Sequence, residues 1–250
     1  MQAGLYIAFT GARAAEKKIE QIANNLANAS SVGYKQDLSA EAGVLPLAIA
    51  AGPDRVSITG ESPGAKLLYS TPSVQYPDLS PGPVKATGNP FDLSIDGDGY
   101  FTVMTKSGPR LTRAGSFRVD VDGDLATASG EKLLGGGGPI RVSAGTLSVG
   151  EDGQVMVDGA AVDTLRIQKA ADPKSLRKVG RNLFEVPAGA AVQPAGSEVR
   201  IHQGSLEESN VAAVAGMTEM VEASRMFEAY AKMVSTISEL NSKANELGRV

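Results

Sequence analysis

The sequence predicts an α+β, mainly β fold: a central antiparallel β domain with N- and C-terminal α-helices that pair as a coiled-coil-like helical domain. Three observations carry this. Apolar residues recur at threes and fours near both chain ends. Between the ends the apolar pattern changes to period two around Asp-Gly turns. The 29 glycines and 13 prolines among 250 residues exceed the roughly 12% an average chain carries, which calls for many turns and hence many short strands.

The first stripe runs Leu5, Phe9, Ala12, Ala15, Ile19, Ile22, Leu26, with Arg13, Glu16, Lys17 and Glu20 on the other faces. It implies a helix of about 26 residues, roughly 39 Å long, ending near Asn28 with Gly33 as a break beyond it. The last stripe runs Met226, Tyr230, Met233, Ile237, Leu240, Ala244, Leu247, and Val214, Met217 and Val221 extend it upstream with some drift in phase. A helix over about 210–248 is expected, with Ser205 and Glu208 at capping-box spacing before it. In the middle, "FDLSI" and "YFTVM" flank "DGDG", "FRVDV" and "LATA" flank "DGD", and "TLSV" and "QVMV" flank "GEDG". Each is read as a hairpin. The expected organisation is a terminal helix at 1–35, an extended, Gly/Pro-rich linker with one strand pair at 36–85, a β-rich domain at 86–204 and a long helix at 205–250. Residues 1–35 carry a net charge of +2 and residues 206–250 one of −3. Surface pairs contribute about 0–1 kcal/mol each, enough to bias register but not to drive assembly.

Composition narrows function. No cysteine is present, so thiolate chemistry, disulfides and Cys-based metal sites are excluded. A net charge of −4 argues against a nucleic-acid binder. No apolar run approaches the roughly 18 residues of a membrane span, so no direct membrane insertion is expected. The N-terminal residues lack the order of basic segment, apolar core and small-residue cleavage site that marks a secretory signal.

Chemistry-bearing motifs are few. "DVDGDLATASGE" places Asp120, Asp122, Asp124 and Glu131 at the spacing of a calcium loop, but the sixth position is Leu125 rather than glycine and the flanks look like strands; a hairpin turn explains it. His202 is the only histidine and alternates with Ile201 in a strand, as an outward-facing side chain would. The run Gly135–Gly138 lacks the lysine and helix start of a phosphate loop and reads as a flexible turn. No catalytic, cofactor or metal site is assigned.

Four segments resemble the rod and hook family of bacterial flagellar axial proteins: "NNLANASSVGYK" at 24–35, "TGNPFDLSIDGDGYF" at 87–101, "LTRAGSFRVDVDGDL" at 111–125, and "QGSLEESNV" at 203–211 leading into the long helix. Within the family, "EASRMFEAYAK" is more similar to the proximal-rod branch than to the distal-rod or hook branches. The resemblance implies a structural subunit exported by the flagellar type III apparatus without signal cleavage. It implies polymerisation in the periplasm with itself and other rod subunits through its terminal helices, to transmit torque. It further implies that Leu5, Phe9, Ile19, Ile22, Leu26, Gly33, Tyr34, Met226, Phe227, Tyr230, Met233, Ile237, Leu240 and Leu247 lie at the assembly interface. Asn24, Asn25 and Asn28 would then fix register there by sharing amide hydrogen bonds between subunits. A reading of another class is a secreted β-rich enzyme or binding module that uses its Asp-rich turns for calcium.

Overall fold

The computed structural model describes residues 2–40, 45–52, 55–58, 66–69, 74–142, 145–180, 182–187, 189–196 and 198–247. The chain divides into two compact units. One consists of Met1–Leu26, Asp37–Tyr76 and Ala212–Val250, the other of Ala27–Gln36 and Pro77–Val211.

The first unit contains both long helices, α1 (Gln2–Ala27) and α2 (Ala213–Leu247). Between them along the chain come five short strands: β1 (Asp37–Ala40), β2 (Leu45–Gly52), β3 (Arg55–Ile58), β4 (Lys66–Tyr69) and β5 (Val74–Pro77). β1 pairs with β5, and β2 pairs antiparallel with both β3 and β4. The stretch expected to be a linker therefore holds more than one strand pair; its residues 41–44, 53–54, 59–65 and 70–73 lie outside the described residues. Helix α1 and helix α2 touch along small residues. A Cβ on Gly11 would sit 2.5 Å from the Tyr230 ring, and one on Gly4 would sit 3.6 Å from Ile237 Cδ1. Because residue 4 meets 237 and residue 11 meets 230, the two helices run in opposite senses.

The second unit is antiparallel β. Its strands are β6 (Val84–Ala86), β7 (Leu93–Asp96), β8 (Tyr100–Thr105), β9 (Gly108–Thr112), β10 (Phe117–Val119), β11 (Leu125–Thr127), β12 (Lys132–Leu133), β13 (Leu147–Val149), β14 (Gln154–Val157), β15 (Ala160–Thr164), β16 (Ile167–Ala170), β17 (Arg177–Val179), β18 (Leu183–Glu185), β19 (Val192–Pro194), β20 (Arg200–Gln203) and β21 (Ser205–Glu207). The largest sheet runs β10-β11-β12-β8-β9-β18-β17, with β16 joining β8 to β19; β13-β14-β15, β20-β7 and β21-β6 form smaller ladders. Central strand β8 is buried on both faces, so its period-two alternation feeds two cores. Phe101 and Val103 enter one with Leu93, Phe117, Leu125, Leu133 and Ile201; Tyr100 enters the other with Leu111, Leu176 and Phe184. Edge-to-face ring pairs anchor each side, Phe101 with Phe117 and Tyr100 with Phe184.

Two of the three expected hairpins form: Val119 opposes Leu125 across "DGD", and Val149 opposes Val155 across "GEDG". The third does not. β7 pairs with β20, whereas β8 pairs with β9, β12 and β16, so "DGDG" carries the chain from one sheet to another. Gly97 has φ +98 and Gly99 leaves room for Ile167, the two demands of a sharp turn beneath a neighbouring strand. The hairpin that β8 does form, closing through Lys106 and Ser107 onto Gly108, lacks an Asp-Gly pair and escaped the sequence reading. Nor do Ser205 and Glu208 cap α2: Ser205 opens strand β21, and the helix starts only at Ala213.

Candidate functional site

The second unit holds a buried polar junction built from segments far apart in sequence. Gly33 has φ +64, and a Cβ there would fall 2.4 Å from the backbone of Arg113 and Ala114, so only glycine fits on both counts. Its N–H donates to the Glu207 carbonyl at 2.7 Å. Tyr34 is buried, with Lys178 Nζ 3.7 Å from its ring centroid, and Lys178 also donates to the Lys35 carbonyl at 2.8 Å. Asn182 Nδ2 donates to the Val32 carbonyl at 2.8 Å. This strip of main chain is thus seated on the β17–β18 hairpin from one side and on residues 113–114 from another.

Lys35 is 1% exposed; its Nζ donates to Glu207 Oε1 at 2.5 Å and to the Ser80 carbonyl at 2.6 Å. Glu207, also 1% exposed, accepts from Gly82 N–H at 3.0 Å through Oε1 and from Arg113 Nη1 at 3.2 Å through Oε2. Arg113 further donates to the carbonyls of Ile95 and Gly97 and lies 5.1 Å from the centroid of the Tyr100 ring. Buried ions cost several kcal/mol each unless partners replace their lost water. Here two cations share one carboxylate and three backbone carbonyls accept from them, while Arg113 Nε is buried without a hydrogen-bond partner among the described residues. Burial holds the Lys35 ammonium below the ordinary lysine range, against the hydrogen bond and charge of Glu207, which act the other way. Around the edge, Asn210 Oδ1 accepts from Gln36 N–H while its Nδ2 donates to the Asp78 carbonyl.

In the first unit the covered face of α1 shares Ala15 and Ile22 with the apolar stripe and is otherwise displaced from it by about one residue. Ala8, Ala15, Ile22 and Asn25 are buried, with Gly4, Gly11 and Lys18 half-buried on the same line. Leu5, Ile19 and Leu26 are half-buried beside it, and Phe9 is 54% exposed. The reason is closeness: small side chains at Gly4, Ala8, Gly11 and Ala15 let the partner helix approach, and Leu5 and Phe9 flank that stretch, while Ile22 stays buried further along the helix. On α2, Ala223 is buried, Tyr230, Val234 and Ile237 are half-buried, and Met226, Phe227, Met233 and Leu240 are exposed. The side chain of Leu247 lies outside the described residues. The amide of Asn25 bonds within the chain: Nδ2 donates to the Asp37 carbonyl and Oδ1 accepts from Asp37 N–H, both at 2.9 Å. Asn24 is exposed, and Asn28 is half-buried and accepts from the Ser31 hydroxyl.

The two loops that mimic ligand sites are filled by the protein's own counter-charges. Lys132 Nζ sits among Asp120, Asp122 and Asp124 at 3.6, 2.9 and 2.8 Å, raised above the ordinary lysine range first by its bond to Asp124. In the glycine run, Gly136 and Gly137 N–H donate to the two carboxylate oxygens of Asp163, both at 3.1 Å. His202 is half-exposed and 3.9 Å from Asp96.

Comparison with known proteins places these pieces. Residues 5–35 match the family described as flagella basal body rod protein, residues 94–157 the D1 domain of flagellar hook protein FlgE/F/G, and residues 202–247 the C-terminal region of flagellar basal body rod FlgEFG proteins. The flagellar basal-body rod protein FlgF of Caulobacter vibrioides is 33% identical over 100% of both chains. The chain belongs to the flagellar basal-body rod protein family. FlgG of Bacillus subtilis is 32% identical over 100% of both chains, and FlgF of Escherichia coli is 31% identical over 96% of each. Membership makes this rod-family chain a structural protein, not an enzyme. Its three matched segments meet at the junction: Lys35 comes from the first, Arg113 from the second and Glu207 from the third. None of the three was singled out by sequence reasoning. Period two from buried Leu111 does put Arg113 on a covered face, but nothing local pairs it with residues 35 and 207.

Proposed function

We propose that this chain is a subunit of the proximal flagellar rod, exported by the flagellar type III apparatus with its amino end kept. It assembles in the periplasm with its own copies and with other rod subunits, and in doing so transmits torque. The coverage of rod-protein relatives from end to end carries this reading, together with helices whose apolar residues Phe9, Met226, Met233 and Leu240 stay exposed in the single chain. The α1 and α2 pair acts as a coiled-coil-like unit whose exposed apolar residues Phe9, Met226, Phe227, Met233 and Leu240, with the half-buried Leu5, Ile19 and Leu26, meet neighbouring subunits, whereas Ile22, Asn25, Gly33 and Tyr34 are buried within the chain. No cofactor is required, and among the described residues no helix is long and apolar enough to cross a membrane.

The test is genetic and structural. Deleting the gene should abolish swimming and leave basal bodies without a complete rod. Electron cryomicroscopy of basal bodies carrying the restored, tagged chain should place it at the proximal rod; a fully motile deletion strain would refute the reading. The similarity to FlgG relatives favours the distal rod as the second reading, and the position of the tag separates the two.

A further inference from the structure

In the second unit the last residues of the chain segment hold the first ones. Among the described residues, β7 has its ladder only with β20, and β6 only with β21. Around these ladders the Gly204 carbonyl accepts from Thr87 and Gly88 N–H at 2.8 and 3.0 Å, and Gly204 N–H donates to the Asp92 carbonyl at 2.7 Å. Glu208 N–H donates to the Pro83 carbonyl at 2.8 Å. Glu207 receives Gly33 N–H on its carbonyl and Lys35 Nζ on its carboxylate, and Asn210 Oδ1 receives Gln36 N–H. The same run is seated on the middle of the unit. Ile201 N–H donates to the Glu151 carbonyl at 3.0 Å, and the Gln203 amide accepts from Val149 N–H and donates to the Leu147 carbonyl. The Ile201 side chain lies in one core with Leu93, Ile95 and Phe101. Residues 200–210 therefore bridge the early segments, 33–36 and 82–96, to β13 and β14.

We infer that residues 200–210 are a clasp: the early segments 33–36 and 82–96 stay docked only while this run is in place. Other contacts do reach those segments. Leu93 N–H donates to the Gly115 carbonyl, Phe117 N–H to the Phe91 carbonyl, Arg113 to the carbonyls of Ile95 and Gly97, and Lys178 and Asn182 hold the main chain of Lys35 and Val32. Loss of the clasp outweighs them. It takes from β6 and β7 their ladders, uncovers Leu93 and Ile95, and removes the carboxylate that Lys35 and Arg113 share. Two cations left without their anion favour the state in which water reaches both. The piece that closes the unit is thus the last part of it to appear along the chain. A chain delivered amino end first carries residues 33–96 undocked until residue 210 has followed. For export this consequence rests on the rod reading above: the unit cannot close midway through transfer, because the stretch that closes it is among the last to pass.

Native-state hydrogen exchange on the full-length chain, followed through rising urea below the unfolding transition, tests the clasp. The reporters are the amides of Leu93 and Phe117, whose acceptors Gly115 and Phe91 lie outside it; Ile201 and Gly204 report on the clasp itself. All four are expected to exchange through one opening, with equal protection and equal urea dependence. Leu93 and Phe117 staying protected in an opening that frees Ile201 and Gly204 would overturn the inference. So would their exchange through a smaller opening that leaves Ile201 and Gly204 protected. A full-length Ile201→Val variant supplies a second reading. Protection of Leu93 and Phe117 should fall by the same factor as that of Gly204, about two- to tenfold for the loss of one buried methyl; a fall confined to Gly204 would count against the clasp. Split protection brings down the clasp and leaves the rod reading standing, whereas a fully motile deletion strain brings down the rod reading and leaves the clasp.

Discussion

The residues of the junction differ in what their loss should do. Lys35→Met leaves Glu207 facing Arg113 alone, still one cation for one carboxylate. Glu207→Gln leaves Lys35 and Arg113 buried together with no anion between them. Removing one member of a buried pair costs about 3–5 kcal/mol when a charge is stranded. Glu207→Gln should fall in that range and Lys35→Met well below it, as read from urea midpoints at constant slope; the reverse order would refute the charge accounting. Lys35 also gives a pH signature. Its folded value lies below the unfolded 10.5, so between the two the unfolded chain holds the extra proton and stability rises with pH. Raising pH from about 7 to about 9.5 should therefore improve the wild-type midpoint relative to that of Lys35→Met. At the acidic turn, Lys132→Met removes the ammonium that the three aspartates share. Melting temperature should drop, and calcium at about millimolar concentration should restore part of it in the variant but not in the wild type.

At the scale of elements, α1 was legible as a helix but not by its face. Apolar periodicity marks the residues that prefer burial, and here two lines that share Ala15 and Ile22 compete for the rest of the face: Leu5, Phe9, Ile19 and Leu26 against Gly4, Ala8 and Gly11. The line of small residues wins against α2 because a closer approach lets Tyr230 lie over Gly11. Glycine inside a helix costs about 1 kcal/mol relative to alanine, so its presence there needs such a contact. Gly11→Ala should be neutral or destabilising in the wild type, because the ring must swing away. In a Tyr230→Ala background the same change should stabilise by about 1 kcal/mol, as propensity alone then acts. A thermal-melt double-mutant cycle measures the sign change. The hairpins followed a similar logic: Asp-Gly turns were read correctly where the flanking strands pair, and misread at "DGDG", where β7 and β8 belong to different sheets.

For the whole molecule, the junction sets where the chain can be cut. Unit boundaries put Ala27–Gln36 with the β strands rather than with α1. A fragment over 27–211 retains Gly33, Tyr34 and Lys35 in their seats and should unfold cooperatively in urea. A fragment over 37–211 uncovers Glu207 and Arg113 and should melt lower or lose cooperativity; equal stability of the two would show that the junction contributes little. The same arrangement explains the Asn-rich motif at 24–35. Asn25 fastens the end of α1 to Asp37, and Gly33, Tyr34 and Lys35 lock the following segment onto the β unit.

The sequence by itself determined the helices at both ends, the antiparallel β middle and the resemblance to flagellar axial proteins. All of these are written in local periodicity or in contiguous motifs. Only the tertiary structure decided which of two neighbouring stripes is covered, which loops are filled by Lys132 and Asp163, and that Lys35, Arg113 and Glu207 share one buried site. Contacts between positions as far apart as 35 and 207 leave no trace in the spacing of either neighbourhood. Close packing depends on the size of the groups on both sides, which no single stripe of sequence contains.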